Sequence, residues 1–433
     1  MKTIKSFLAI MAFIAVKSYA QEISVTTNST ENYAVNVTTS TNVNAAVHPT
    51  INITSSTQSG GDAERSKSFT KTFSVNSNDK INLNNQYGSI VIKTWDRKEV
   101  KVDVDIKAFS NSDKDVQKLI DEVTIDASKS GDQISVKTNM GDRDGNFGRR
   151  LKNGVTTWRR EIKVNYVVYM PATNALTAQQ EYGSIDVGDF SGPTSFKVQY
   201  GNLTTGNLSN SNNYLSVEYG KMTVQDLNAA VIKHEYGGGV SIGSVGTIEV
   251  NAEYVPVNIN TIRKSADIKV QYGSGLTVGS IAGNLLLNSE YAKVNINSIK
   301  GNTVIKQGYG SLTIASVGKL SLKTEYTNVT LGSLNGDALI DMDYNKLTVN
   351  EITPACKSFG FNGEYAGVGL GFSTNYNANF NISTTYAGFK YGSNVSSKLV
   401  SDDDENKRYS GKIGGGGAAT VSIRTEYGAV SFK

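Results

Sequence analysis

Apolar and polar residues alternate along much of this chain, which is the pattern of β-strands that bury one face. Residues 100–107 read VKVDVDIK, and residues 162–169 read IKVNYVVY. Between them, Ser112 and Asp115 have the spacing of a helix capping box, and the apolar residues that follow share one helical face. These patterns predict a mostly-β capping domain with one short helix over residues 68–170.

A second periodicity dominates the remainder of the chain. A tripeptide close to Glu/Gln-Tyr-Gly recurs at intervals of 17 to 19 residues, and ten tyrosines follow this spacing: Tyr182, Tyr200, Tyr219, Tyr236, Tyr254, Tyr272, Tyr291, Tyr309, Tyr326 and Tyr344. Weaker copies contain Tyr365, Tyr386 and Tyr427, and an isolated early copy contains Tyr87. A short β-rich repeat is typical of a solenoid. We therefore predict an all-β fold, with a parallel β-solenoid (β-helix) over residues 171–433.

The phase of the apolar residues within one repeat predicts which side chains point inward. Apolar residues lie two and four positions before each tyrosine, as Phe196 and Val198 precede Tyr200, and three and five positions after it, as Ile185 follows Tyr182. Alternate residues of a strand share a face. The tyrosines are therefore predicted to lie inside the coil or at its corner, stacked edge to face, with the next glycine taking the bend. The alternative is an exposed platform on which sugars or bases stack.

The residue before each tyrosine is then predicted to point outward. This column reads Glu181, Gln199, Glu218, Glu235, Glu253, Gln271, Glu290, Gly308, Glu325 and Asp343. Two positions earlier, on the same face, are Lys197, Lys233, Lys269, Lys306 and Lys323. Like charges one rung apart repel, so we expect the lysines to neutralise the acids. The alternative is a strip for divalent cations or a cationic polymer.

The first 20 residues have a basic start, a short apolar run and a small residue at each position that a signal peptidase reads. They predict a signal peptide cleaved after Ala20, and an uncleaved membrane anchor is the alternative. Residues 21–67 form a Ser/Thr/Asn-rich polar segment, which fits edge strands or a linker equally well. No later stretch is apolar for long enough to predict a membrane-spanning helix. We expect an exported protein of the periplasm, the cell surface or the medium.

Charge and composition exclude several functions. The chain has 43 Lys and Arg against 39 Asp and Glu; three of the lysines fall in residues 1–20, so 40 against 39 remain. This balance disfavours a nucleic-acid partner. A single Cys cannot form an internal disulfide, and two His exclude a His-based metal cluster, so no cofactor and no metal are predicted. Cys356 is predicted to be an inert buried thiol and His234 a neutral core histidine.

One segment carries a local excess of positive charge. Residues 142–160 read DRDGNFGRRLKNGVTTWRR and are predicted to form a projecting loop or hairpin. Their candidate anion-binding residues are Arg143, Arg149, Arg150, Lys152, Trp158, Arg159 and Arg160. Arg beside Trp suits an anionic polysaccharide, phosphate or a lipid headgroup, and a solvated loop is the alternative. The acidic run 402–405 is predicted to lie in a solvated, Gly-rich inserted loop near residues 392–420.

The EYGSIDV, QYGNLTT and EYGKMTV repeats, together with the ending RYSGKIGGGGAATVSIRTEYGAVSF, resemble the "putative adhesin" family of β-strand-repeat proteins of Bacteroidetes. The resemblance implies a right-handed-type β-solenoid on an exported protein, and it offers no catalytic residues. We therefore expect a non-enzymatic adhesin or envelope-surface binding protein whose partner is a polysaccharide or a protein. The alternatives are a β-helix polysaccharide lyase or hydrolase and a periplasmic sensing or scaffolding protein.

Overall fold

A computed structural model describes residues 50–57, 63–141, 147–273 and 275–433, and for residues 51–57 and 155 it describes the backbone alone. The predicted signal peptide, residues 21–49 of the polar segment and Arg143 lie outside the described residues. Within the described ranges the chain is almost entirely β, with many stacked strands and one helix. The all-β prediction is confirmed.

The first eight strands precede or follow this helix in the chain. They are β1 (Thr50–Thr57), β2 (Ala63–Ser74), β3 (Lys80–Thr94), β4 (Glu99–Ser110), β5 (Val123–Ser130), β6 (Gln133–Met140), β7 (Gly148–Lys152) and β8 (Val155–Met170). Helix α1 (Asp113–Asp121) begins after Ser112, whose hydroxyl accepts a hydrogen bond from the Asp115 N–H at 3.3 Å. Its buried face consists of Val116, Leu119 and Ile120, so the predicted helical face is confirmed. The helix packs mainly on β4 and β2. The Ser112 cap is also confirmed, but the second bond of a capping box is replaced, because the Ser112 N–H donates to the Ser110 hydroxyl at 3.3 Å.

The repeats form rungs that pair in parallel. Their strands are β9 (Ala175–Val187), β10 (Thr194–Gln199), β11 (Leu203–Leu208), β12 (Asn213–Glu253), β13 (Val257–Ile262), β14 (Ala266–Gln271), β15 (Leu276–Ile281), β16 (Leu285–Ile299), β17 (Thr303–Val317), β18 (Leu320–Leu334), β19 (Ala338–Ile352) and β20 (Ser358–Phe372). Each residue lies opposite its counterpart in the next repeat. Ile268, for example, pairs with Val250 on one side and with Leu287 on the other.

The residues predicted to point inward before and after each tyrosine are buried. Phe196, Ile268 and Ile185 are fully buried. An aliphatic residue also recurs eight or nine positions after most of the tyrosines, as Leu208 and Ile281 do, and it is buried too. This core continues without a break from the strands around α1 into the repeats. The domain boundary at residues 170 and 171 stays a prediction.

The first repeat is capped by strands of the same hydrogen-bonded sheet. Strand β3 pairs in parallel with β9 along its length, and also with β6 and β8. A buried polar network joins these four strands: the Asn85 amide donates to the Val164 carbonyl at 2.7 Å and to the Gln180 side-chain oxygen at 2.9 Å. The Thr138 hydroxyl donates to the Asn85 side-chain oxygen at 2.7 Å. Because buried polar groups need partners, this network fixes the register in which the four strands meet.

The last rungs do not follow chain order. The final strands are β21 (Ala378–Thr385), β22 (Phe389–Tyr391), β23 (Val395–Asp403), β24 (Asn406–Ile413), β25 (Ala419–Glu426) and β26 (Val430–Phe432). Strand β25 inserts between β20 and β21 and pairs in parallel with both. Strand β24 pairs antiparallel with β21 and with β23.

The prediction of an inserted loop near residues 392–420 is therefore wrong for most of that segment, which forms strands. Residues 395–413 form a β-hairpin, and the acidic residues lie at its turn, where Asp402 forms an ion pair with Lys407 at 3.4 Å. The physical reason is that β21 would otherwise present unpaired backbone groups, which proteins cover. Here the hairpin covers them.

We expect Asn85→Ala to lower the free energy of unfolding by on the order of 3 kcal/mol, because it removes the amide that Gln180 and Val164 accept from and leaves the Thr138 hydroxyl with Tyr166 alone. The matched control is Asn84→Ala, one residue away on the outer face, which should change stability by less than about 0.5 kcal/mol. Urea denaturation measures both variants. Equal effects would show that the network does not hold the first rung.

His234 is buried in the core at the position that holds Val198 and Val217 in the two preceding repeats. Burial lowers the pKa of its imidazole from 6.5 to about 4, and neither ring nitrogen has a hydrogen-bond partner among the described residues. The core histidine is thus neutral near pH 7, as predicted.

The depressed pKa predicts a pH-dependent stability. Between pH 6.5 and 4, His234 is protonated in the unfolded chain but stays neutral in the folded chain. The folded protein therefore becomes less stable as the pH falls through this range. We expect the wild type to lose about 2–3 kcal/mol more than His234→Val between pH 7 and pH 4.5. Urea denaturation at both pH values measures the difference. Parallel pH dependences would contradict it.

Candidate functional site

Fourteen tyrosines form one continuous stack, which we call the tyrosine ladder. Neighbouring ring centroids lie 4.3 to 5.3 Å apart, and the ring planes differ by at most 17°. In spatial order the ladder runs Tyr87, Tyr182, Tyr200, Tyr219, Tyr236, Tyr254, Tyr272, Tyr291, Tyr309, Tyr326, Tyr344, Tyr365, Tyr427 and Tyr386. Tyr427 lies between Tyr365 and Tyr386 in this order, because strand β25, which ends just before Tyr427, inserts between β20 and β21.

The prediction that these rings point inward and meet edge to face is wrong. The tyrosines of the ten regular repeats are 39% to 48% exposed, and their rings stack in parallel. Parallel stacking follows from the repeat itself, because each rung reproduces the previous one by a translation of about 4.8 Å. Side chains in the same rotamer are then parallel.

The error has a backbone cause. Every ladder tyrosine has a φ between 47° and 62°, in the left-handed region, where the alternation of side chains along a strand breaks. The one-residue change of phase therefore occurs at the tyrosine and not at the glycine after it. The tyrosine still keeps its place in the backbone ladder, since the Tyr272 N–H donates to the Glu290 carbonyl at 3.0 Å.

The glycine after the tyrosine has a different role, which Gly201 shows. A Cβ at this position would overlap the carbonyl oxygen of Gly183 in the preceding rung. Glycine lets the two backbones approach closely at the corner. Rungs with Ala292 or Thr327 at this position show that a side chain is accommodated elsewhere in the stack.

The ladder exposes ring edges and hydroxyl groups. Each inner ring has a neighbouring ring against both faces, so the faces on which a sugar or base would stack are covered. The alternative of an exposed platform is thus correct about exposure, but the surface is a ridge of phenol edges. Such a ridge offers one hydroxyl per rung.

The outward column beside the ladder is stabilised mainly by amides. Gln199 donates to Glu218 at 2.8 Å, and Gln271 donates to Glu290 at 3.2 Å. Among the ion pairs of the described residues, the predicted lysine partners contribute one, between Lys233 and Glu235 at 3.0 Å.

The carboxylates of this column lie close enough to the phenols to affect them. The charge of Glu290, followed by burial, raises the pKa of Tyr272. At the end of the ladder, a side-chain hydrogen bond with Glu405, followed by burial, raises the pKa of Tyr386 to about 12. Phenol hydroxyls and carboxylates therefore form one polar strip, which we call the ladder ridge.

A second feature lies where hairpin β7–β8 faces helix α1. In this antiparallel pair Arg150 lies opposite Trp158, and Gly148 lies opposite Arg160. Together with α1 they bound an open cleft of about 830 Å³, which we call the basic cleft. Its lining residues are Asp115, Lys118, Phe147, Gly148, Arg149, Arg150, Trp158 and Arg160.

The basic residues predicted as one anion-binding set are separated by the structure. Arg149, Arg150, Trp158 and Arg160 line the basic cleft. Arg159 instead forms an ion pair with Glu161 at 2.7 Å, and its guanidinium lies 3.5 Å from the centroid of the Phe109 ring. Lys152 is exposed on the hairpin and does not line the cleft. The predicted hairpin is confirmed for residues 148–160, and α1 supplies cleft residues that the sequence did not indicate.

Cys356 is a free, fully buried thiol, as predicted. Burial raises the pKa of this thiol to about 11, so it is protonated and unreactive at neutral pH. In the part of the chain that the structure describes, no helix is both long and apolar enough to cross a bilayer.

No family model and no curated protein matches this chain. Solved structures that match this chain include a "putative cell adhesion protein" from Clostridium sporogenes, which is 10% identical with a TM-score of 0.15 over 89% of this chain and 99% of that chain. Others are a "putative adhesin" from Bacteroides fragilis, 14% identical with a TM-score of 0.17 over 64% and 95%, and a "putative lipid binding protein" from Parabacteroides distasonis, 8% identical with a TM-score of 0.18 over 84% and 96%.

The left-handed corner makes a prediction for Tyr272. Tyr272→Ala loses two ring contacts and keeps the backbone strain, so it should cost about 2 kcal/mol of unfolding free energy. Tyr272→Gly should be more stable than Tyr272→Ala by about 1 kcal/mol, because glycine adopts positive φ without penalty. Urea denaturation of the two variants tests this order.

The control lies in the same rung. Ile268 is buried in an extended strand, where glycine weakens the backbone, so Ile268→Gly should be less stable than Ile268→Ala. The same order at both positions would contradict the strained tyrosine corner.

Proposed function

We propose that this protein is an exported, non-enzymatic binding protein of the adhesin type, whose repeats form a parallel β-solenoid that presents the ladder ridge to an extended polysaccharide. The observation that carries the proposal is the repetition of one surface chemistry, a half-exposed phenol beside a carboxylate or amide, at rung after rung.

The parallel register supports the solenoid. In β16, β17 and β18 the strand segments before and after the tyrosine both pair with the next repeat, residue for residue. Apolar side chains lie inside and the tyrosines at the corner. Coils stacked along one axis would give this pairing, which therefore supports the proposed solenoid.

The repetition favours binding over catalysis. A catalytic site brings together different groups, such as a nucleophile, a base and an oxyanion donor, at one place. The ladder ridge offers the same groups at steps of about 4.8 Å. A polymer that touches several rungs gains affinity from many weak contacts, since each contact raises the effective concentration of the next.

The polarity of the ridge suits a carbohydrate. Carboxylates, amide oxygens and phenol oxygens accept hydrogen bonds from sugar hydroxyls, and phenol hydroxyls can also donate.

The export part of the proposal rests on residues 1–20, whose basic start and apolar run have the character of a signal peptide.

The test is binding of the purified protein to neutral polysaccharides immobilised in gels, combined with an assay for newly formed chain ends. We expect retention without cleavage. Glu235→Gln combined with Glu253→Gln should weaken retention severalfold, because an ionised carboxylate accepts a stronger hydrogen bond from a sugar hydroxyl than a neutral amide does. Stability should be nearly unchanged, because glutamine already occupies this column at Gln199 and Gln271.

The matched control removes two charges from a different outer column. Glu249 and Asp267 pair with each other on neighbouring rungs, and both are exposed. Glu249→Gln combined with Asp267→Asn should leave retention unchanged. An equal loss of retention in both double variants would show that the ladder ridge is not the binding surface. Release of shortened polysaccharide chains would show a lyase or hydrolase activity instead of binding alone.

A further inference from the structure

We propose that the basic cleft between hairpin β7–β8 and helix α1 is a separate binding site for an acidic sugar, that is, a sugar ring that carries a carboxylate or sulfate group. This site does not depend on the ladder ridge, with which it shares no residue. The inference rests on the charge, the shape and the mixture of side chains in the cleft.

The cleft has the charge of an anion site. Four of its eight lining residues are basic and one, Asp115, is acidic. Lys118 shares its charge with Glu122 at 3.6 Å, whereas Arg149 and Arg150 are exposed along the hairpin. Arginine is suited to this role because its planar guanidinium binds carboxylate and sulfate oxygens through two parallel N–H donors.

The cleft also has the components of a sugar site. Trp158 lies opposite Arg150 in the strand pair, so an indole and a guanidinium are neighbours on one face of the hairpin. An indole packs against the apolar face of a sugar ring, while the arginine holds its anionic group. Asp115 on α1 can accept a hydrogen bond from a sugar hydroxyl, and it would repel a bare phosphate or sulfate ion.

The geometry of the cleft is held by regular structure. Trp158 and Arg160 belong to the 16-residue strand β8, which pairs with β4 and β3. The Arg160 guanidinium lies 4.7 Å from the centroid of the Phe147 ring, which places it at the cleft wall. A volume of about 830 Å³ is within the range of small-ligand sites, roughly 300–1,000 Å³.

The chain provides its own reporter for this site. It contains two tryptophans, and Trp95 lies elsewhere, stacked on Tyr169 at 5.3 Å. In the Trp95→Phe variant, all tryptophan fluorescence comes from Trp158. Titration of this variant with an oligogalacturonate or a sulfated disaccharide should give a saturable change in emission, and a neutral oligosaccharide of equal length should bind at least tenfold more weakly.

The substitutions that test the site are Arg150→Ala and Arg160→Ala in the same single-tryptophan protein. Each should weaken binding of the acidic probe about tenfold, and raising the salt concentration should weaken it further, as exposed charges are screened. The matched control is Lys152→Ala, which removes a charge from the same hairpin outside the cleft. Thermal melting confirms that each variant is folded.

Four results would overturn the proposal. These are absence of an emission change with either acidic probe, inorganic sulfate binding as tightly as the sugar, binding only to vesicles of an anionic phospholipid, and equal loss in Lys152→Ala and Arg150→Ala. Failure of this proposal can be told apart from failure of the ladder proposal. The Glu235→Gln and Glu253→Gln substitutions lie outside the cleft, so they test the ladder ridge alone. Isothermal calorimetry of the wild type gives the same comparison without a reporter.

Discussion

The structure depends on the balance between backbone strain and ring stacking at the corner tyrosine of each rung. A residue other than glycine in the left-handed region costs roughly 1–2 kcal/mol, and an aromatic pair contributes about 0.5–1.5 kcal/mol beyond burial. Rings on both sides therefore offset the strain of each inner tyrosine, whereas the terminal Tyr87 and Tyr386 adopt the same left-handed φ with one ladder neighbour each. This explains why the ladder has no gap where β25 inserts, since Tyr427 lies 4.8 Å from Tyr365 and 4.9 Å from Tyr386.

The same corner determines the surface chemistry. Because the tyrosine interrupts the alternation of the strand, its ring and the side chain before it both reach the outside. The hydrogen bonds between rungs then fix their spacing, so a carboxylate or amide recurs beside most of the phenols, with Gly308 before Tyr309 and Thr385 before Tyr386 as exceptions. Pairs such as Gln199 with Glu218 reduce the repulsion that a column of glutamates alone would have. A structural constraint of the backbone thus produces a periodic polar surface.

Much of this fold could be predicted from local patterns. Period-two alternation identified the buried residues, including Ile268, and the Ser112 spacing identified α1. The direction of the tyrosines could not be predicted by that rule, which assumes an extended backbone at every residue. The position of Tyr427 depends on a pairing between distant strands, and the acidic hairpin is needed only because β21 has an edge to cover. Likewise, the hairpin of the basic cleft was visible in the sequence, but the contribution of α1 required the tertiary structure.

The two proposed surfaces are carried by one hydrogen-bonded sheet. Strand β8 holds Trp158 near one end, and six residues later Val164 pairs with Gly88, which follows the first ladder tyrosine. That separation is about 20 Å along the strand. Two sites held at a fixed distance by continuous strands lose little entropy when both engage one chain, so their affinities combine more efficiently than across a flexible linker. A glycan with an acidic residue and a neutral stretch would engage both surfaces, whereas a neutral glycan would engage the ladder ridge alone.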